Sequence, residues 1–198
     1  MYLPTVQCTL HNHSYPNRRK EIMKKASVLA AVLVITAVSA GTVSALPGLS
    51  MDIAFALPVP SGDFGDTAKT GLGASADAFV GIPMIPLKLG GHIGYNQFSM
   101  KEKEDENFST IEVVPSVRYQ FGLPIVGYAF LQAGAGYFQL SSSVSGVEAQ
   151  NKFGFNVSVG AAASFLTSMK FFAMPAYTWI NTEDTSTSYI TFNIGLAF

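Results

Sequence analysis

The stretch FGFNVSVGAAASF, residues 153–165, alternates apolar side chains with small or polar ones over its whole length. Phe153 and Phe155 stand on one face of this alternation, and Gly154 and Asn156 stand on the other. A period of two residues indicates a β-strand with one apolar face. Strands of soluble proteins most often have about five or six residues, whereas strands that cross a bilayer need about 9 to 11. The length of this stretch therefore predicts a strand that spans a membrane.

The same period recurs along the rest of the chain. Eight segments follow it, and they lie at residues 49–58, 71–81, 87–98, 109–121, 126–140, 151–165, 170–180 and 188–198. Segments 126–140 and 170–180 are apolar on both faces in places, so the pattern leaves two registers open for each of them. The sequence thus predicts eight strands, six of them with a defined outward face.

The connections between these segments are of two alternating kinds. Longer polar loops lie at residues 60–70, 99–108, 141–150 and 181–187, and short apolar turns lie at residues 82–86, 122–125 and 166–169. Long loops at one end and short turns at the other are typical of outer-membrane barrels, whose long loops face the outside of the cell. An open sheet edge in hydrocarbon leaves backbone groups unpaired at a cost of several kcal/mol each. We therefore predict an all-β fold, a closed antiparallel eight-stranded up-and-down barrel, with extracellular loops and both termini in the periplasm.

The segment before the predicted barrel has the plan of a secretory signal peptide. Residues 23–45 begin with a basic start, continue with an apolar run and end in small residues, and the run is too short for a transmembrane helix. Cleavage after Ala45 or after Ala40 fits this plan, and we favour Ala45 because the earlier site leaves little room behind the apolar run. Residues 1–22 fit neither the signal nor the barrel, so we interpret them as a mis-annotated upstream leader and assign residues 46–198 to the barrel.

The composition argues against several kinds of chemistry. A net charge of -1 gives no basic surface for nucleic acid. The single cysteine, Cys8, precedes the predicted signal, so the mature chain has no disulfide and no cysteine-based metal site. We expect no cofactor, no metal and no nucleic-acid partner.

The last predicted strand runs to the end of the sequence, where TFNIGLAF places Phe192, Ile194, Leu196 and Phe198 on one face. This alternation resembles the C-terminal signal that the bacterial barrel-assembly machinery reads in its substrates. Residues 46–198 as a whole resemble small eight-stranded outer-membrane barrels, such as the barrel half of outer membrane protein A and outer membrane proteins X and W. The resemblance implies a bacterial outer-membrane location, with outer-membrane lipids, lipopolysaccharide and the assembly machinery as partners. We expect a monomer.

Charged residues indicate the inward face of each strand, because Arg or Lys facing lipid at the bilayer midplane costs about 2 to 4 kcal/mol. With apolar side chains outward, the residues that point into the lumen are Asp52, Asp77, Lys88, His92, Glu112, Arg118 and Lys152. Alternating strand directions place Asp52, Asp77, Lys88 and Arg118 in the periplasmic half. We expect these four to form a paired, neutral cluster that fills the lumen, because eight strands leave an interior just wide enough for side chains.

Three functions fit such a barrel. We favour a non-enzymatic outer-membrane protein with a structural or cell-surface interaction role and a lumen filled by side chains. The alternative, which the resemblance to outer membrane protein W implies, is a narrow passive channel for small or apolar solutes. The third is a lipid A-modifying enzyme. Barrel enzymes of that kind use a His with a Ser near the outer rim, but His92 lies mid-strand and its inward neighbours Gly90 and Gly94 carry no hydroxyl group.

Overall fold

The fold is a closed barrel of eight strands in chain order, each antiparallel to its neighbours. The computed structural model describes residues 48–102, 106–123, 127–143, 149–164, 169–182 and 187–198. Its strands are β1 (Leu49–Ser61), β2 (Leu72–Gly81), β3 (Leu87–Ser99), β4 (Asn107–Leu123), β5 (Gly127–Ser142), β6 (Gln150–Ser164), β7 (Lys170–Ile180) and β8 (Thr187–Ala197). A short helix, α1 (Asp63–Thr67), lies between β1 and β2. Within the described ranges no helix is long and apolar enough to cross a membrane.

The predicted closed, eight-stranded, all-β architecture is confirmed. Each predicted segment overlaps one strand, and the bounds agree to within a few residues. Helix α1 was not predicted. It lies inside residues 60–70, for which the sequence predicted only a polar loop. The predicted leader and signal peptide, residues 1–22 and 23–45, lie outside the described residues and remain predictions.

The barrel closes between its first and last strands. β1 pairs with β8 from Asp52 opposite Ala197 to Ser61 opposite Ser188. Beyond β8, Phe198 still exchanges backbone hydrogen bonds with Met51 of β1, at 3.3 and 2.8 Å. This pairing leaves no free edge between the first and last strands, as hydrocarbon surroundings demand. The outward face of β8 is as predicted: Phe192 and Ile194 are exposed, while Leu196 and Phe198 are half-buried.

The strands are strongly staggered. A row of aligned residues starts at Lys170 on β7, runs through Asp52 and His92 and returns to β7 at Ile180, ten residues further along the same strand. Its residues are paired in the ladders except at the step from Val114 to Gly136, which the β4–β5 register aligns. Strand number and stagger together fix the tilt and the diameter of a barrel. Eight strands with this stagger enclose an interior on the scale of side chains.

The structure resolves the two registers that the sequence left open. On β5, Phe130 is fully buried inside the barrel while Leu131 is exposed on the outer face. On β7, Met174 is buried inside while Phe171 is exposed outside. Both strands carry large apolar side chains on both faces, so periodicity alone did not distinguish the faces.

Two apolar clusters lie inside the barrel. We call the end with the short connections (residues 82–86, 124–126 and 165–169) the turn end, and the opposite end the loop end. The cluster towards the turn end comprises Ala54, Tyr128, Phe130, Ala162, Phe172, Met174 and Ala197. The cluster towards the loop end comprises Ala68, Phe98, Val114, Phe138, Leu140, Ile180 and Tyr189, with Phe64, Met100 and Phe108 packed against it. The buried polar side chains connect these two clusters, and they form the candidate site.

Candidate functional site

Arg118 on β4 is the main cation of the barrel interior, and it is 1% exposed. Its Nη1 donates a hydrogen bond to Asp52 Oδ2 on β1. Its Nε and Nη2 both donate to Gln132 Oε1 on β5, at 3.0 and 2.8 Å, and Nη2 lies 3.9 Å from Asp77 Oδ1 on β2. A buried charge is tolerated only when it is paired and hydrogen-bonded, and three other strands, β1, β2 and β5, supply these partners.

Two aromatic rings also contact the Arg118 guanidinium. Its central carbon lies 4.1 Å from the ring centroid of Phe79 on β2 and 4.3 Å from that of Phe130 on β5. A cation over an aromatic face within about 6 Å is attracted by the ring quadrupole, and more strongly where water is absent. Phe130 belongs to the turn-end cluster, so Arg118 anchors the polar residues to that cluster.

His92 on β3 extends the series of hydrogen-bonded side chains towards the loop end. Its Nδ1 lies 3.0 Å from Asp77 Oδ1, which also accepts a hydrogen bond from Gln132 Nε2 at 3.0 Å. Its Nε2 lies 3.6 Å from Glu112 Oε2 on β4. The imidazole therefore stands between two buried carboxylates from two different strands.

Glu112 ends the series under the loop-end cluster. Its Oε1 accepts hydrogen bonds from Asn96 Nδ2 and, at 2.7 Å, from the Tyr189 hydroxyl. The Tyr189 hydroxyl also lies 3.4 Å from Thr110 Oγ1. We call this set, Asp52, Asp77, His92, Asn96, Glu112, Arg118, Gln132 and Tyr189, the polar network. It joins the two apolar clusters through the interior of the barrel.

A small cavity lies beside the middle of the polar network. Its volume is about 10 Å³, and Ser75, His92, Asn96, Glu112 and Asn193 are among the side chains that line it. Asn96 Oδ1 is buried and has no hydrogen-bond partner among the described residues. A polar cavity of this size has room for about one water molecule, and it is far too small for an organic solute.

Helix α1 covers the loop end of the interior. The Phe64 ring packs edge-on against Phe98, at 5.0 Å between centroids, and against Phe108, at 5.3 Å. Lys101 holds the helix from the opposite side, because its Nζ donates to the carbonyl oxygen of Gly65 at 2.6 Å. Strands β1 and β8 contact α1 directly, so the helix reaches across the opening from β1 and β8 to β3 and β4. We call α1 with Phe64 the loop-end cap.

Comparison with known proteins identifies the class of this barrel. The family model for the outer membrane protein β-barrel domain matches residues 26–198. The chain belongs to this family. This outer-membrane barrel is similar in structure to Neisserial surface protein A, with a TM-score of 0.59 and 16% identity over 76% of this chain and 94% of that one. It is also similar to Ail, the attachment invasion locus protein of Yersinia pestis, with a TM-score of 0.53 and 16% identity over 77% and 100%. No curated protein sequence matches the chain.

Identities this low show a shared fold and nothing finer. The family places the protein in the bacterial outer membrane. The predicted likeness to small eight-stranded outer-membrane barrels is confirmed by the family match and by these structures.

The outer-membrane barrel brings most of the predicted lumen residues together. Five of them are at most 5% exposed and belong to the polar network: Asp52, Asp77, His92, Glu112 and Arg118. Lys88 is half-buried nearer the turn end, where its Nζ donates to Ser50 Oγ at 3.1 Å. Lys152 is half-buried and pairs with Phe138 along the β5–β6 ladder. The sequence predicted Lys88 as a second base beside Arg118. The residues that contact Arg118 in addition to the two aspartates are instead Gln132, Phe79 and Phe130.

Sequence reasoning missed Gln132, Phe79, Phe130 and Tyr189. Gln132 lies on β5, whose register was open, so its inward direction could not be assigned. Tyr189 shares its face of β8 with Asn193, which is polar and buried, and this shared parity was the one available signal. Phe79 shares the inward face of β2 with Asp77, and Phe130 lies on β5, but the rule that apolar side chains face lipid gave no reason to place either ring beside Arg118.

The close side-chain partners of His92 in the described part of the chain are acidic. His92 contacts two carboxylates, and the residues on its inward face, Gly90 and Gly94, carry no hydroxyl group. Within the same described ranges, no group of three or more His, Cys, Asp or Glu side chains is arranged to hold a metal ion.

Proposed function

We propose that this outer-membrane barrel has a structural or cell-surface interaction role, that it is not an enzyme, and that side chains close its lumen to solutes. The contacts around Arg118 carry the proposal. The side chains that make these contacts come from β1, β2, β4 and β5 and meet at one level of a narrow barrel. A solute that crosses this level has to separate a buried ion pair and displace two aromatic rings.

The loop-end cap adds a second closure under this proposal. Phe98 packs edge-on between Phe64 and Tyr189, so an apolar layer covers the polar network from the loop end. The cavity of about 10 Å³ beside His92 is too small for a solute path. Polar side chains enclosed between apolar layers suit a rigid barrel better than a pore.

The proposed orientation puts the loop end outside the cell and both termini in the periplasm. Connections of small outer-membrane barrels are longer on the outer side, and the loop end carries exposed charged residues such as Asp63, Asp66, Lys69 and Lys101. Such a surface suits lipopolysaccharide head groups or a polar partner. Ail is named an attachment invasion locus protein, which supports a surface role for a protein of this fold. We propose a monomer that depends on the barrel-assembly machinery for insertion.

A narrow channel is the second candidate. The observation that favours it is the small size of the loop-end cap, whose helix has only five residues and lies in the connection between β1 and β2. Planar-bilayer recordings of the purified barrel distinguish the two. We expect no steps above background from the wild type and measurable conductance from Arg118→Ala. Stable conductance from the wild type would establish the channel instead. Mass spectrometry of lipid A from cells with and without the protein tests the enzymatic role, and we expect identical spectra.

A further inference from the structure

Two lysines face each other across the turn-end mouth of the lumen, the opening whose side chains include Ser50, Lys88, Tyr128 and Lys170. Lys88 lies at the start of β3 and Lys170 at the start of β7, and three strands separate β3 from β7 in each direction around the closed barrel. Lys88 Nζ donates to Ser50 Oγ on β1 at 3.1 Å. Lys170 Nζ lies 5.8 Å from the ring centroid of Tyr128 on β5, which is buried in the turn-end cluster. Both lysine side chains therefore reach inward from opposite walls.

The strand register places both lysines beside the buried ion pair of Arg118 and Asp52. Lys88 is paired with Arg118 along the β3–β4 ladder. Lys170 is paired with Ala197 on β8, and Ala197 is paired with Asp52 on β1. Asp52 is already bonded to Arg118. The ion pair therefore forms the floor of the turn-end mouth, and the two lysines lie between this floor and the turn end.

The turn-end mouth has an excess of positive charge. Asp52 attracts the Lys88 ammonium group, but Arg118 and Lys170 are both close enough to repel it. Neither lysine forms an ion pair with a carboxylate of the described residues. The short connections at this end, residues 82–86, 124–126 and 165–169, contain no Asp or Glu. Half-buried cations without a counter-charge of their own attract an anion from solution.

We propose that the turn-end mouth is a binding site for one phosphate group, held between Lys88 and Lys170. The oxygens of a tetrahedral phosphate point in several directions, so they can accept hydrogen bonds from ammonium groups on opposite walls. Lysine binds phosphate as a point charge with three donors, and Lys88 uses one of its donors for Ser50. The site opens to the periplasm if the barrel has the proposed orientation, but binding itself does not depend on that orientation.

Isothermal titration calorimetry with inorganic phosphate tests the proposal, on the barrel refolded in a maltoside detergent that carries neither charge nor phosphate. We expect one phosphate per wild-type barrel, with an affinity that falls as the salt concentration rises. Lys88→Gln and Lys170→Gln should each weaken binding about tenfold, the loss expected for one charge-assisted hydrogen bond. Lys170→Arg keeps the charge and should retain binding. The matched control is Lys152→Gln, which removes a half-buried lysine of β6 near the loop end and should bind phosphate like the wild type.

A wild type that binds no phosphate would overturn the proposal, as would glutamine variants that bind phosphate with the wild-type affinity. Acetate that binds as tightly as phosphate would overturn the choice of ligand. Lys88→Met and Lys170→Met provide a second test if a glutamine variant does not fold, as judged by heat-dependent migration on gels.

A repeat of the titration in nanodiscs of phosphatidylglycerol distinguishes two sources of the phosphate group. Loss of phosphate binding in the nanodiscs assigns the site to a lipid head group, and unchanged binding assigns it to a soluble phosphate. The bilayer recordings are independent of both results, so failure of the phosphate site and failure of lumen closure are distinguishable.

Discussion

Arg118→Ala is the substitution that tests the barrel interior most directly. It leaves the Asp52 and Asp77 carboxylates buried without their guanidinium, and it empties the space between Phe79 and Phe130. Breaking a buried ion pair by removing one partner costs about 3 to 5 kcal/mol. The lost contact with the two rings adds to this cost, whereas water that enters the new space reduces it.

The assay is equilibrium unfolding of the refolded barrel in detergent micelles, followed by circular dichroism and by heat-dependent gel migration. With a urea dependence of about 2 kcal/mol per molar, a loss of about 4 kcal/mol lowers the midpoint by about 2 M. The matched control is Lys88→Ala, which removes a half-buried cation bonded to Ser50 and should shift the midpoint much less.

A double variant, Arg118→Met with Asp52→Asn, refines the interpretation. Replacing both partners of a buried pair is often close to neutral, so this variant should recover part of the stability lost in Arg118→Ala. If Arg118→Ala has the wild-type midpoint and also conducts no current, then the interior contacts neither stabilise nor close the barrel, and the reasoning fails.

Three further predictions concern other parts of the barrel. Tyr189→Phe removes a donor from buried Glu112 and should lower the free energy of unfolding by about 1 to 3 kcal/mol, measured as above. Phe64→Ala removes the edge-on contact with Phe98, and an aromatic pair of this kind stabilises by about 0.5 to 1.5 kcal/mol beyond the burial of its area. The substitution should speed hydrogen exchange in α1 while leaving the strands protected. Deletion of Phe198 should reduce the level of the protein in the outer-membrane fraction on immunoblots, although the same variant still forms a barrel when refolded in detergent.

The sequence predicted the fold well because lipid imposes a simple rule on strands. Every outward position between residues 153 and 163 is apolar, and the outward residues Phe155 and Val157 are exposed in the structure. Charged side chains then indicated the inward face, and Asp52 and Arg118 are buried as this rule requires. The strand positions follow from these two facts alone.

The rule that apolar side chains face lipid does not predict which apolar side chains lie on the inner face. Phe98, Phe130 and Phe138 are all buried inside the barrel, although an outward position would suit them equally well in energy. Their placement depends on the register and on which side chains meet across the lumen. Neither is encoded locally, so the sequence led to Asp52 and Asp77 as partners of Arg118 but not to Gln132, to the two aromatic rings or to the loop-end cap.

These inward aromatics explain how a barrel can hold so many charged groups in its interior. Hydrogen bonds and ion pairs are stronger where water is excluded, and the polar network has Phe130 at one end and Phe98 near the other. An opening wide enough for a solute would also admit water to Arg118 and Glu112 and would weaken the contacts that fix them. The proposed closure of the lumen and the stability of the network therefore depend on the same contacts, so a variant that conducts should also be a variant that unfolds more easily.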